Sequence, residues 1–192
     1  DGIRDRSPSR GLGDVYKRQI PGLSPVSFSP RAAAKITNRK NRVQSWFLDT
    51  NLIMGYWCTD TKRSYHHTAP VNMNFGIREA LRLLAKEGLE VSWNRHRNNA
   101  QSLWNSLENI GLELQVKEEL RLPTLTTVKI PEGVDGKAFT KHLLNNFGVE
   151  IGGGLGDLAG KVWRIGLMGY NSTANNVDKI INIFETELPK FR

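Results

Sequence analysis

Residues 150–171 read EIGGGLGDLAGKVWRIGLMGYN, and this stretch decides the fold because a glycine run leads directly into an alternating apolar segment. In residues 162–167, a period of two places Arg164 and Gly166 on one face. The other face carries Trp163, Ile165 and Leu167. The pattern predicts a strand with one face against a hydrophobic core. A guanidinium in such a strand is costly unless it meets a carboxylate, so Arg164 has two candidate partners: a structural carboxylate of the protein or the carboxylate of a substrate.

The glycine run that precedes this strand resembles nucleotide-binding motifs only in composition. A P-loop needs glycine where Leu155 stands, and Ser or Thr where Val162 follows Gly160-Lys161. A looser dinucleotide fingerprint beginning at Gly154 leads into a strand, whereas the motif requires a helix. The run is typical of a flexible loop, and the alternative is a loop whose bare backbone approaches a ligand.

On both sides of this stretch, the chain alternates predicted strands and helices. Strands are predicted at residues 25–29, 112–116, 124–130 and 149–151. Apolar side chains at helical spacing predict helices at residues 73–86, 92–110, 138–147 and 177–188, and Ser29-Pro30 is typical of a helix start. Helices on one face of a sheet define a two-layer α/β domain.

Three parts of the chain differ in composition. Residues 1–19 are polar and lack an apolar period, and DVYKRQ at positions 14–19 resembles the translation of a transposon-type sequencing adapter. Residues 20–88 have too few strands for a closed core, so we predict a remnant of another domain. Residues 89–192 contain the alternating elements and are predicted to be a small domain.

Composition excludes several classes of function. The formal net charge is +8, but the basic residues are scattered apart from Arg39–Arg42 and are not interleaved with aromatic side chains, which disfavours nucleic-acid binding. No apolar run approaches the roughly 20 residues of a membrane span, so a soluble protein without a membrane partner is expected. Cys58 is the only cysteine, which fits a reducing compartment.

Residues 65–70, YHHTAP, concentrate hydroxyl and imidazole groups without an apolar period. The hydroxyls of Tyr65 and Thr68 suit a phosphate or carboxylate, and ordinary loop hydrogen bonding is the alternative. Adjacent histidines are poor joint metal ligands, and no third ligand is spaced to join His66 and His67, so no metal site is predicted.

Five motifs in the same order carry a family resemblance. They are IPGLSPVSFS (20–29), SYHHTAPV (64–71), REALRLLAKEGLEVSWNRH (78–96), LRLPTLTTVKIPEG (120–133) and the opening stretch 150–171. From about Ile20 to Phe191 the chain resembles the C-terminal half of the alanine-glyoxylate (serine-pyruvate) aminotransferases, class V enzymes of fold type I that use pyridoxal 5′-phosphate. The resemblance implies a large-domain remnant at 20–88 and the small C-terminal domain at 89–192.

The family's activity and site residues follow from the resemblance. It implies transfer of an amino group from alanine or serine to glyoxylate or pyruvate by a homodimer acting on small amino acids and 2-oxo acids. It implies that Tyr65 and Thr68 bind the cofactor phosphate across the dimer interface. It also implies that Arg164 binds the substrate carboxylate and that the glycine run shapes the approach to the cofactor.

The Schiff-base lysine of the family has no counterpart in this chain. In the family it lies in a Ser-Gln-Lys context five residues before Pro-Pro-Gly, which appears here as Ile20-Pro21-Gly22. The corresponding position holds Val15, so Lys17 is out of register and no catalytic residue is predicted. The upstream Asp that pairs with the pyridine nitrogen is also missing, so the chain alone is expected to be inactive.

Two other functions remain open from the sequence. A fragment of a 3-hydroxykynurenine transaminase belongs to the same class of enzyme, whereas a non-catalytic α/β interaction module belongs to a different one. The family is often peroxisomal or mitochondrial, and we expect one of these organelles or, failing them, the cytoplasm. The chain ends Pro189–Arg192 without a Ser-Lys-Leu type signal.

Overall fold

The computed structural model describes residues 23, 26–57 and 62–191. The adapter-like segment 1–19 and the register of Val15 and Lys17 therefore lie outside the described residues. The described residues fall into two compact units, one extending to Gly76 and the other beginning at Ile77. Within these ranges, no helix has both the length and the apolar character needed to cross a membrane.

The first unit contains two short helices, the loops around them and the start of the longer helix that begins at Val71. Helix α1 spans Pro30–Thr37, and the Ser29 hydroxyl accepts a hydrogen bond from the Ala32 amide at 3.3 Å, which confirms the predicted helix start. A 3₁₀ turn at Trp46–Leu48 leads to helix α2, Thr50–Trp57. The sequence analysis missed α2 because its apolar residues are not confined to one face.

The strand predicted at residues 25–29 is wrong for the part of it that is described. Residues 26–29 form no helix or strand, and the side chains of Val26 and Phe28 are both exposed. Alternation indicates a strand only where a neighbouring strand supplies hydrogen bonds. No described strand pairs with this segment.

Two long helices follow in the chain and meet at a glycine. Helix α3 spans Val71–Glu87 and helix α4 spans Leu89–Asn109, so both predicted helices are confirmed. Gly88 between them has a φ of +88°, a left-handed conformation that glycine adopts without strain. Helix α4 begins three residues before the predicted Ser92 because its first turn follows this glycine directly.

A three-stranded antiparallel sheet forms the centre of the second unit. Its strands are β1 at Leu125–Lys129, β2 at Gly152–Gly153 and β3 at Val162–Gly166, in the order β1-β3-β2. The strand predicted at 149–151 is displaced to β2. The strand predicted at 112–116 is reduced to one bridge between Leu114 and Val128, because the chain bends at residues 115–116.

Helices cover one face of this sheet, which confirms the two-layer α/β architecture. Helix α5 spans Gly136–Phe147 and helix α6 spans Ala174–Glu187. Phe139 of α5, Trp163 of β3 and Phe184 of α6 are at most 1% exposed and contact one another, with ring centroids 5.1 to 5.6 Å apart. The sheet and both helices therefore share one aromatic core.

Candidate functional site

Tyr65 and Thr68 lie together in the first unit. Their hydroxyl oxygens are 2.8 Å apart, and both side chains are exposed. The Tyr65 ring stands edge-on to Tyr56 of α2, at a centroid distance of 5.9 Å. The Tyr56 ring also lies beneath the Arg63 guanidinium at 4.6 Å. Two neighbouring hydroxyls thus face solvent, and the Tyr65 ring packs against Tyr56.

His66 lies between these two residues in the chain and is 4% exposed. Its ring stacks on Trp46 with centroids 3.8 Å apart and planes 7° from parallel. Its Nε2 donates to the Trp46 carbonyl at 3.1 Å, because a carbonyl only accepts. In the neutral ring, Nδ1 is therefore the acceptor of the 2.7 Å hydrogen bond from His67 Nδ1–H.

Sequence reasoning missed the structural role of His66. From the sequence alone, the histidine pair suggests only metal ligands. Throughout the described ranges, no three His, Cys, Asp or Glu side chains lie close enough together to hold a metal ion. The signal that the sequence does contain is the aromatic pair Trp46-Phe47 upstream, but its contact with His66 spans twenty residues of chain.

Arg164 occupies the centre of β3 in the second unit. It pairs with Thr127 on β1 and with Gly152 on β2. Trp163, Ile165 and Leu167 are buried on the core face, whereas Arg164 is half-buried and Gly166 is exposed, as the period of two predicts. Val162 is also buried, because the loop that contains Gly154 covers it.

Among the described residues, the Arg164 guanidinium has one hydrogen bond, which Nε donates to the Gly153 carbonyl at 2.7 Å. No carboxylate among the described residues forms an ion pair with it. The two terminal nitrogens thus remain available to a carboxylate from outside these residues, in the bidentate geometry that arginine favours. In the part of the chain that is described, the structural ion pair considered for Arg164 is absent.

Steric contacts explain why positions 152 and 154 of the glycine run lack a side chain. A Cβ at Gly152 would lie 3.2 Å from Arg164 Nη2, so the absence of a side chain lets the guanidinium lie over β2. A Cβ at Gly154 would lie only 1.9 Å from the Leu158 carbonyl oxygen, so this glycine permits the turn that follows. Gly152 and Gly153 form a strand, which makes the flexible-loop interpretation wrong for these two residues.

The turn that follows β3 is held by side chains of α4. Arg95 Nη1 donates to the carbonyls of Gly169 and Ser172 at 3.0 and 2.5 Å, while its Nε pairs with Glu87 at 2.6 Å. His96 Nε2 accepts the Gly169 amide at 3.0 Å. These residues, which the sequence analysis did not single out, fix the end of the strand that carries Arg164.

Comparison with known proteins identifies the family. The model of the family described as Aminotransferase class-V matches residues 29–180. Alanine–glyoxylate aminotransferase of Oryctolagus cuniculus is 48% identical over 162 residues, which are 83% of this chain and 41% of the rabbit protein. The (S)-ureidoglycine–glyoxylate transaminase of Bacillus subtilis is 35% identical over 81% of this chain and 41% of its own length. The chain thus spans about two fifths of the length of these relatives.

Solved structures show the same relationship. Alanine–glyoxylate aminotransferase from Nostoc sp. superposes with a TM-score of 0.80 at 55% identity, over 86% of this chain and 44% of that one. Ureidoglycine–glyoxylate aminotransferase from Bacillus subtilis superposes with a TM-score of 0.85 at 34% identity, over 91% of this chain and 45% of that one. The architecture of the described residues is that of the corresponding part of these enzymes. Because the family model covers most of the chain, the chain belongs to the class V aminotransferase family.

Proposed function

We propose that this chain is the C-terminal part of a pyridoxal 5′-phosphate-dependent aminotransferase that transfers an amino group from alanine or serine to glyoxylate or pyruvate. The names of both groups of relatives include glyoxylate, whereas their amino donors differ. Glyoxylate is therefore the better supported acceptor. The higher identity, 48% against 35%, favours alanine over ureidoglycine as the donor.

Arg164 is the proposed substrate-binding residue, and the observation that carries the proposal is its guanidinium without a carboxylate partner among the described residues. Nε is held by the Gly153 carbonyl, and the side chain lies over Gly152, so the fork has a fixed orientation before substrate binds. A preorganised bidentate donor orients the carboxylate of an amino or 2-oxo acid.

Tyr65 and Thr68 are the proposed phosphate ligands. Both exposed hydroxyls can donate to phosphate oxygens, and their separation of 2.8 Å lets them reach neighbouring oxygens of one phosphate. The residues present thus fit the phosphate end of the cofactor. When bound, the cofactor supplies the electron sink for the amino acid's α-carbon. In the homodimer that we propose, this phosphate belongs to the cofactor of the partner subunit.

In this proposal, the lysine that binds the cofactor covalently lies in another part of the full-length protein. Val15 stands where the family has its Schiff-base lysine, so this chain contributes binding groups and no covalent attachment. The full-length protein would supply the lysine and the acid that pairs with the pyridine nitrogen.

The test is a donor series with the full-length protein. Glycine formation from glyoxylate would be measured with alanine, serine and ureidoglycine as donors at equal concentration. We expect alanine or serine to give the highest kcat/KM. A preference for ureidoglycine would instead favour the second candidate, which the TM-score of 0.85 to that enzyme supports. Absence of glycine with every donor would contradict both.

A further inference from the structure

The loop that carries the two hydroxyls has no regular structure of its own. Residues 62–70 form neither helix nor strand. Tyr65 is 71% exposed, whereas the next residue, His66, is 4% exposed. The two neighbouring side chains thus lie on opposite sides of the loop, His66 toward the protein and Tyr65 toward solvent. The direction of the hydroxyl group is thus linked to the burial of the neighbouring imidazole.

Two anchors hold this loop on either side of Tyr65. The Ser64 amide donates to the Gly55 carbonyl of α2 at 2.9 Å. His66 makes the second anchor through its stacking and its 3.1 Å hydrogen bond to Trp46. The first anchor uses backbone atoms alone, so any residue at position 64 other than proline can form it. The second anchor depends on the imidazole.

His67 connects His66 to Tyr56, the aromatic side chain that contacts Tyr65. It shares the 2.7 Å hydrogen bond with His66. Its ring lies 5.6 Å from Tyr56, the same residue that supports Tyr65, and 5.3 Å from Phe47. A change at His66 is therefore transmitted both along the backbone and through this ring contact.

We propose that His66 is a positioning residue that fixes the Tyr65–Thr68 hydroxyl pair for a phosphate ligand. The proposal rests on the proposed function of that pair as the cofactor phosphate site. His66 makes no contact with phosphate in this account. It acts by holding the backbone from which both hydroxyls project, as partners behind metal ligands do.

The test uses the full-length protein and measures dissociation constants for pyridoxal 5′-phosphate and for pyridoxal, which lacks the phosphate. His66→Phe keeps the ring stacked on Trp46 but removes both hydrogen bonds. We expect binding of the phosphorylated form to weaken about tenfold, at the lower end of what such partners contribute. Binding of pyridoxal should stay within about twofold of wild type, because a role through phosphate spares the ligand that lacks it.

Two further variants separate a specific effect of His66 on phosphate binding from a general loss of folding. His66→Gln retains an amide donor for the Trp46 carbonyl and should recover part of the lost affinity. His142→Phe changes a histidine in the second unit, where it bonds to Glu187, and should leave the affinity for the phosphorylated form unchanged. If His66→Phe fails to fold, His66→Gln is compared with wild type in the same two measurements. A selective loss for the phosphorylated form supports the proposal, and no selective loss overturns it.

A double-mutant cycle separates this proposal from the function on which it rests. Tyr65→Phe with Thr68→Val removes the hydroxyls themselves. If His66 acts through them, His66→Phe causes no further loss in that background. Equal loss for both ligands, or full additivity, would overturn the role of His66 and leave the phosphate site intact. If removing the hydroxyls leaves the affinity for the phosphorylated form unchanged, both the site and the role of His66 fail.

Discussion

At the scale of single residues, the proposed chemistry depends on Arg164 and on what surrounds it. Arg164→Ala in the full-length protein should lower kcat/KM for alanine by at least about tenfold, because losing one partner of a hydrogen-bonded charge pair costs roughly 2 to 5 kcal/mol. Arg164→Lys should recover only part of the lost kcat/KM, since a point charge cannot form the bidentate contact. Steady-state kinetics check this. Unchanged kcat/KM with a lowered Tm would make Arg164 a structural residue.

The three successive glycines allow a matched comparison at the same scale. Gly152→Ala should raise KM for the amino acid several-fold. The new Cβ would lie only 3.2 Å from Arg164 Nη2 and would push the guanidinium out of its position. Gly154→Ala should lower the free energy of unfolding by about 1 to 3 kcal/mol, the range of overpacking, because its Cβ meets the Leu158 backbone. Gly153→Ala, with nothing within 4 Å, is the control. Equal effects of all three substitutions on KM would contradict this account.

The sequence predicted the face of Arg164 but not its partners. The period of two in residues 162–167 determines which side chains reach the core. Whether a carboxylate meets the guanidinium depends on elements distant in the chain, which local patterns do not contain. The link between His66 and Trp46 was unpredictable for the same reason.

At the scale of the elements, the aromatic core joins α5, β3 and α6. Phe139→Ala should destabilise the second unit by roughly 3 to 5 kcal/mol, the usual cost of removing a buried aromatic ring. The midpoint of urea unfolding, followed by far-UV circular dichroism, measures the loss. Ala substitution of Phe75, which is 65% exposed in the structure, serves as the comparison and should change the midpoint little. Equal shifts would mean that the ring is not part of the core.

Glu187, the last residue of α6, should make the stability of the protein depend on pH. Hydrogen bonds from Lys190 at 2.7 Å and from His142 at 2.8 Å lower the pKa of Glu187 below its ordinary value of 4.5. A lowered folded-state pKa gives stability that is present above the ordinary value and is lost as pH falls through the lowered one. Urea midpoints from about pH 6 to about pH 3 should therefore fall less steeply for Glu187→Gln than for wild type. Parallel curves would show that Glu187 contributes nothing to this dependence.

Helices with clear apolar stripes were predicted well, and short strands were not. Helices α3 to α6 each bury one stripe, such as Leu103 and Leu107 of α4, so their periodicity is visible in the sequence. Strand β2 consists of two glycines, a residue type that is depleted in strands. It forms because Arg164 on the neighbouring strand needs a partner without a side chain, which is a tertiary requirement.

At the scale of the whole molecule, the chain and the full-length protein should behave differently. The 192-residue chain, supplied with pyridoxal 5′-phosphate, alanine and glyoxylate, should form no glycine, because the register that we propose places Val15 where the family has its lysine. The full-length protein should form glycine under the same conditions. Glycine formation by the chain alone would show that the lysine needed for catalysis lies within it.

The most direct test of the central claim is to locate the lysine that holds the cofactor. The full-length protein, purified with its cofactor, would be reduced with borohydride and digested, and the pyridoxyl-lysine peptide identified by mass spectrometry. We expect one modified lysine, seven positions before the residue that corresponds to Gly22 and outside residues 20–192. A modified lysine within residues 20–192, or none at all, would contradict the claim that this chain is the binding half of such an aminotransferase.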